Sequence, residues 1–181
     1  MRLEKASGFF LFEETALRLQ DTPCIWSRES NYSWRQAYTR ACQYGNYFKG
    51  LQVQSSEYVA VYMKNSPELL LIWMGLLSIG AAPALINCNL ASDGLLHCIR
   101  LSGCRYLVHT SDKDCNERIF HVEQRLKQDG VASIELRGSF VAKLDQQARQ
   151  RPQVNCFQES ITLPLALMYT RSVGNFTLIF Q

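Results

Sequence analysis

The chain has 181 residues, 47% hydrophobic and 19% charged, which is too apolar for a disordered segment and long enough for one domain, or most of one, with a core. At this size a compact fold buries roughly 70% of the surface of its unfolded chain. Nineteen Lys and Arg against 16 Asp and Glu leave a net charge of +3, far from the basic excess that phosphate neutralisation requires, so nucleic acid is not expected as a partner.

Start and stop signals divide the chain into regular elements. A helix is predicted from Gly8 to Leu19, with Phe9, Phe12, Ala16 and Leu19 near one face, and Asp21-Thr22-Pro23 ends it. Two short runs, Cys24 to Ser27 and Tyr32 with its neighbours, joined by Glu29-Ser30-Asn31, predict a small hairpin. Ser33 with Gln36 has capping-box spacing, in which the hydroxyl takes an orphan amide and the Gln side chain reaches back. The helix that follows carries Trp34, Ala37, Tyr38, Ala41 and Cys42 on one stripe to about Lys49, with Gly50 as its expected stop.

Tyr58 to Met63 is rich in β-branched and aromatic residues and predicts a strand. Asn65-Ser66-Pro67-Glu68 then writes a helix start, with Ser66 as N-cap, Pro67 where its missing amide costs nothing, and Glu68 facing the positive end of the dipole. Leu69 to Ile86 is eighteen residues without a formal charge, near the lower limit for a membrane span. Gly75, Gly80 and Pro83 interrupt it, so the better reading is a buried helix from Pro67 to Ile79, a turn at Gly80 and a strand from Ala82 to Ile86.

A helix from Ser92 to Ser102, a stop at Gly103 and a strand from Arg105 to His109 make a second round. A third has Ser111 or Asp112 as cap, a helix carrying Ile119, Phe120 and Leu126, a turn at Asp129-Gly130, and a strand from Val131 to Leu136. Strand and helix alternating in this way predict an α/β fold, a parallel sheet with helices on both faces. Beyond Leu136 the signal thins: Ala142 to Pro152 reads as a helix end and a polar linker, and Leu163 to Thr170 as one more strand.

The seven cysteines, at 24, 42, 88, 98, 104, 115 and 156, are odd in number and lack zinc-knuckle or redox spacing, which fits a reducing compartment. Cys98, Cys104, His97 and His109 lie on a predicted helix and strand, where buried small residues are the expected reading and no metal site is predicted. Two glycosylation sequons, at Asn31 and Asn175, matter only in a secreted chain. The apolar run Gly8 to Phe12, closed by Glu13 and Glu14, is too short for a signal-peptide core. There is no GxxxxGK[ST] loop, no GxGxxG after a strand, no HExxH and no GxSxG elbow. A nucleotide-binding oxidoreductase domain would share the sheet but lacks the glycine fingerprint.

What remains is the order of several local phrases. Tyr58-Val-Ala-Val-Tyr-Met-Lys-Asn-Ser-Pro-Glu68 and Trp73-Met-Gly-Leu-Leu-Ser-Ile-Gly-Ala-Ala82 resemble consecutive phrases of the AMP-forming acyl-CoA synthetases, the adenylating acid-thiol ligases. Ala84-Leu-Ile-Asn-Cys-Asn-Leu90, Leu96-His-Cys-Ile-Arg-Leu-Ser-Gly-Cys104 and Phe12-Glu-Glu14 resemble the fatty acid transport protein branch, the very-long-chain acyl-CoA synthetases. The resemblance runs from about Phe9 to Thr170 and is tightest from Tyr58 to Val108. It implies that residues 1–170 are the N-terminal part of an AMP-binding domain and that 171–181 are a divergent tail.

Such enzymes use ATP and Mg²⁺ to turn a fatty acid into an acyl-adenylate and pass the acyl group to coenzyme A, on membranes of the endoplasmic reticulum, peroxisome or cell surface, facing the cytosol. Their phosphate loop opens with a Tyr-Thr pair, matched by Tyr169 and Thr170, and continues Ser-Gly-Thr-Thr-Gly to a Pro-Lys. Here Arg171-Ser-Val-Gly-Asn-Phe-Thr-Leu-Ile-Phe-Gln181 follows instead. The resemblance therefore implies a synthetase truncated at its phosphate loop, as a misread exon boundary would give. Tyr169 and Thr170 are then the remnant of the ATP site, no cofactor binds tightly and the chain is inactive alone. The alternative is a non-catalytic module that pairs with an intact synthetase, or with itself, through a sheet edge left open at Thr170 and the apolar run Phe176 to Phe180.

Overall fold

The computed structural model describes residues 8–28, 30–154, 163–169 and the backbone of 177–180. Helix α1 (Gly8–Leu19) leads into an antiparallel hairpin of β1 (Pro23–Trp26) and β2 (Asn31–Ser33) and then into α2 (Trp34–Gly50). The predicted capping box forms: Gln36 N donates to Ser33 Oγ at 3.3 Å and Ser33 N to Gln36 Oε1 at 2.8 Å. Three rounds follow, β3 (Tyr58–Tyr62), α3 (Pro67–Leu77), β4 (Ala82–Ile86), α4 (Ser92–Ser102), β5 (Tyr106–Thr110), α5 (Lys113–Gln128) and β6 (Ala132–Leu136). Asp112, rather than Ser111, caps α5, its Oδ1 accepting from the amides of Asp114 and Cys115. Helix α6 (Gly138–Asp145), β7 (Ala166–Tyr169) and β8 (Thr177–Phe180) complete the described elements.

The sheet order is β6-β5-β3-β4-β7-β8. Its first five strands run parallel, and β8 returns antiparallel along β7. The side chains of β3 alternate between two cores. Val59, Val61 and Met63 pack with Tyr44, Phe48, Leu71 and Ile72 of α2 and α3, whereas Ala60 and Tyr62 pack with Leu95, Ile99, Ile119 and Val122 of α4 and α5. Helices thus cover both faces, as period-2 burial of a parallel strand requires. Cys98, Cys104 and Cys115 fill the second core as small apolar groups.

As expected, the apolar stretch 69–86 is a helix, a turn at Gly80 and a buried strand, and among the described residues no helix is long and apolar enough to cross a membrane. Several other expectations need correction. Gly50 does not stop α2; the left-handed residue is Gln52, at φ 59°, whose N–H reaches Lys49 O while that of Val53 reaches Phe48 O. That is a Schellman closure built without glycine. Residues 138–145 are helical because Phe140 and Leu144 find a place in the α2 and α3 core. The polar segment after them is strapped to α2: Asn46 Nδ2 donates to Ala148 O and Gln150 O, and Lys49 Nζ to Gln153 O. Phe120, expected with Ile119 on the apolar stripe of α5, is 74% exposed. Finally, the outer edge of β7, expected to be open, carries β8; Glu29, Cys156, Thr170 and Arg171 to Phe176 lie outside the described residues.

Candidate functional site

In a parallel sheet every strand ends at the same side, and where successive crossovers leave for opposite faces a crevice opens between the strand ends. Here α3 leaves β3 for one face and α4 leaves β4 for the other. A cleft of about 930 Å³ lies there, at the C-terminal ends of β3, β4 and β7. One wall is apolar, from Ile25 and Trp26 of the hairpin, Leu69 and Trp73 of α3, Leu85 of β4 and Met168 of β7. The rim is polar and comes from the residues that end the strands, Lys64, Asn65 and Ser66 after β3 and Asn87 after β4.

These groups are held from behind. Lys64 Nζ sits 3.0 Å from Asp112 Oδ2 and 3.9 Å from Asp114, and the hydrogen bond to Asp112 raises the lysine pKa while lowering that of the carboxyl. Ser66 Oγ accepts from Leu69 N at 3.4 Å, with Pro67 next, so the cap predicted from sequence also fixes the cleft edge. The hydroxyl of Tyr62 is shared between the carbonyls of Cys88 and Leu90, at 2.9 and 2.6 Å, and Arg118 donates to the same Cys88 carbonyl. Asn89 N closes onto Asn87 Oδ1 at 2.9 Å. The loop after β4 is therefore tied down by hydrogen bonds where it borders the cleft.

Of the two residues named from sequence, Tyr169 lines the cleft at the end of β7, and its hydroxyl donates across the sheet to Cys98 O of α4 at 2.8 Å. Burial pushes its phenol well above the ordinary value. Thr170 lies outside the described residues. Among the described residues the cleft offers one ammonium, already bonded to Asp112, and a few amide side chains. That set does not amount to a cradle for a triphosphate. Among them, too, no group of three or more His, Cys, Asp or Glu stands ready to hold a metal ion.

Sequence reasoning met Lys64, Asn65 and Asn87 as parts of the family phrases and, for Asn65, of a helix start, but not as candidate site residues. Their signal was present, since they lie within two residues of the ends of predicted parallel strands, and that is where an open α/β sheet presents its ligands.

Residues 12–170 match the AMP-binding enzyme family. Isopenicillin N epimerase component 1 of Hapsidospora chrysogena is 60% identical over 136 residues, covering 75% of this chain and 22% of that protein. The very long-chain fatty acid transport protein of Cochliobolus heterostrophus is 31% identical over 137 residues, 74% of this chain and 21% of that protein. The chain thus spans about a fifth of the length of these curated relatives. Among solved structures, a Mycobacterium tuberculosis fatty acyl CoA synthetase superposes with a TM-score of 0.85 at 19% identity, over 98% of this chain and 35% of that one. A long-chain-fatty-acid-CoA ligase of Archaeoglobus fulgidus gives 0.75 at 19% identity, over 92% and 35%. The fold is that of the N-terminal part of an acyl-CoA synthetase.

Proposed function

This chain belongs to the AMP-binding enzyme family, and from that membership we propose that it supplies the acid-binding cleft and the strand that launches the phosphate loop of an ATP-dependent acyl-CoA synthetase. The observation that carries this reading is the end of β7. The family match runs to residue 170, and β7 ends one residue earlier, at Tyr169, beside the C-terminal ends of β3 and β4 and on the wall of the 930 Å³ cleft. The described end of β7 therefore borders the crevice in which such sheets hold ligands.

The apolar wall suits an acyl chain, since each methylene taken from water contributes about 0.8 kcal/mol. The polar rim at Asn65 and Asn87 suits a carboxylate. When bound, ATP and Mg²⁺ supply the activation of that carboxylate, and coenzyme A the acceptor thiol. Tyr62 and Arg118 keep the rim loop in place, and Tyr169 ties the launching strand to α4. The 181 residues alone do not carry out adenylation, because after Thr170 the order Arg171-Ser-Val-Gly replaces the Ser-Gly-Thr-Thr-Gly loop of the resemblance. A location on a membrane of the endoplasmic reticulum, peroxisome or cell surface accords with the fatty acid transport relatives.

The names of the relatives favour two acids, a fatty acid at 31% identity and isopenicillin N at 60%; the apolar wall favours the first. Trp26 and Trp73 line the cleft, so their fluorescence reports on it. Titration with palmitate is expected to change the emission and Trp73→Phe to remove most of the change. A response to isopenicillin N instead reassigns the acid, and no response to either rejects the cleft as the acid site. A pyrophosphate-release assay with acid, ATP, Mg²⁺ and coenzyme A is expected to read background for the chain alone. Activity above background overturns its assignment as inert.

A second reading, association through sheet edges, is favoured by β8 and β6 as the outer strands of the sheet. A monodisperse monomer by sedimentation overturns it.

A further inference from the structure

We infer a second ligand site, apart from the cleft at β3, β4 and β7: the groove along edge strand β6, between α5 and α6, takes a small aromatic monocarboxylate. The groove encloses about 540 Å³, within the range of small-molecule sites. Its walls are aromatic on both sides. On the α6 side Tyr47 and Phe140 meet edge to face with ring centroids 5.0 Å apart and Ile134 extends that surface, while Ile119 lies on the α5 side. Phe120 stands opposite on α5, mostly exposed, its ring touching that of His121. Its exposed ring gives a flat ligand in the groove an aromatic face to stack on.

The charges in the groove decide the other half of the ligand. Two carboxylates line it, and both are occupied: Glu123 pairs with Lys127 at 2.8 Å, and Glu135 takes Arg137 and the Asn116 side-chain amide, the latter at 3.0 Å. Lys143 also lines the groove, and its ammonium has no carboxylate partner among the described residues. The hydroxyls of Ser133 and Ser139 likewise have no bond among them. His109, 4% exposed, donates Nδ1–H to Thr110 O at 3.1 Å, and burial lowers its pKa, so it adds a neutral ring. Among the described residues, one uncompensated positive charge with two free hydroxyls fits a monoanion. A phosphate dianion would face Glu123 and Glu135 with, among those residues, one free cation to meet it.

The test uses the whole chain and amide NMR titration with benzoate, benzamide, hexanoate and inorganic phosphate. Benzoate is expected to shift amides in 116–123 and 133–143 and to leave those of 63–73 unmoved. Benzamide, the uncharged isostere, and hexanoate, which lacks the ring, should each bind about tenfold more weakly or worse. Lys143→Met should cost benzoate about tenfold in affinity at unchanged thermal midpoint, while Phe120→Ser weakens benzoate and benzamide alike. Both positions are exposed, so neither change is expected to threaten the fold. The assignment is overturned by no response to millimolar benzoate, by shifts confined to the cleft, by phosphate binding better than benzoate, by hexanoate matching it, or by a Lys143→Met chain that binds as the parent does.

Discussion

Replacing Gly75 by alanine is expected to lower stability even though alanine is the better helix former. At the crossing of α2 and α3 a Cβ on residue 75 would lie 2.5 Å from Tyr44 Cβ, 2.9 Å from Ala41 O and 3.0 Å from Gly45 N. Carbon atoms rest about 3.5–4.0 Å apart, so the first contact is more than about 1 Å too close. Two of the three obstacles are backbone atoms of α2, so relief requires the helices to separate, which loosens Tyr44, Leu71 and Leu76, all fully buried. Overpacking of this kind costs about 1–3 kcal/mol, and here the upper end applies, against a helix-propensity gain of about 1 kcal/mol. The net loss is about 2 kcal/mol, which for a chain of this size lowers the thermal midpoint by roughly 4–8 °C. Gly50→Ala is the internal control: it lies in the same pair of helices with nothing within 4 Å of its added methyl, and should gain up to about 1 kcal/mol. Urea and thermal unfolding followed by circular dichroism measure both. If Gly75→Ala is as stable as the parent while Gly50→Ala gains, the close helix crossing is wrong.

Ser33→Ala removes the hydroxyl that receives Gln36 N and is expected to cost about 1 kcal/mol in the same unfolding assay; an unchanged midpoint would mean that the capping box contributes nothing. Gln52→Gly relieves a left-handed backbone at φ 59° and should stabilise by about 1 kcal/mol, since the Gln52 carbonyl that accepts from Arg105 is retained. A loss of stability would contradict it. Burial raises the carboxyl pKa of Glu57, but the two bonds from Arg105, at 2.7 and 2.9 Å, and the Gln54 amide outweigh it and hold the group below the usual range. A carboxyl with a lowered folded pKa stabilises above its unfolded value and loses that contribution as pH falls through the folded one. Glu57→Gln should therefore be less stable than the parent at neutral pH, with the gap closing as pH falls from about 6 to about 3. A gap that does not change with pH refutes the ion pair.

The cleft was half legible. Its frame is written in local phrases, Lys64-Asn-Ser-Pro67 and Ala84-Leu-Ile-Asn87, whose turn and cap chemistry involves residues no more than four apart. The residues that hold the rim from behind are far away: Asp112 for Lys64, Arg118 for Cys88 and Cys98 for Tyr169. No spacing rule joins them, because they meet only when β5 inserts beside β3 and β7 beside β4. The polar strap after α6 was illegible for a related reason. It buries little of its own glutamine side chains and is held by its backbone carbonyls, which carry no residue signature.

By itself the sequence determined the helix starts at Ser33 and Ser66, a third at Ser111 or Asp112, the stop at Gly103, the strands between them and hence an α/β sheet covered on both faces. Those signals are satisfied within one turn of backbone and need no partner from elsewhere. The tertiary structure alone decided the strand order, the exposure of Phe120, the left-handed close of α2 at Gln52 rather than Gly50, and the meeting of three strand ends and a hairpin around one cleft. Each of these depends on which surfaces a segment buries against residues far away in sequence, and packing overrides local propensity where the two differ.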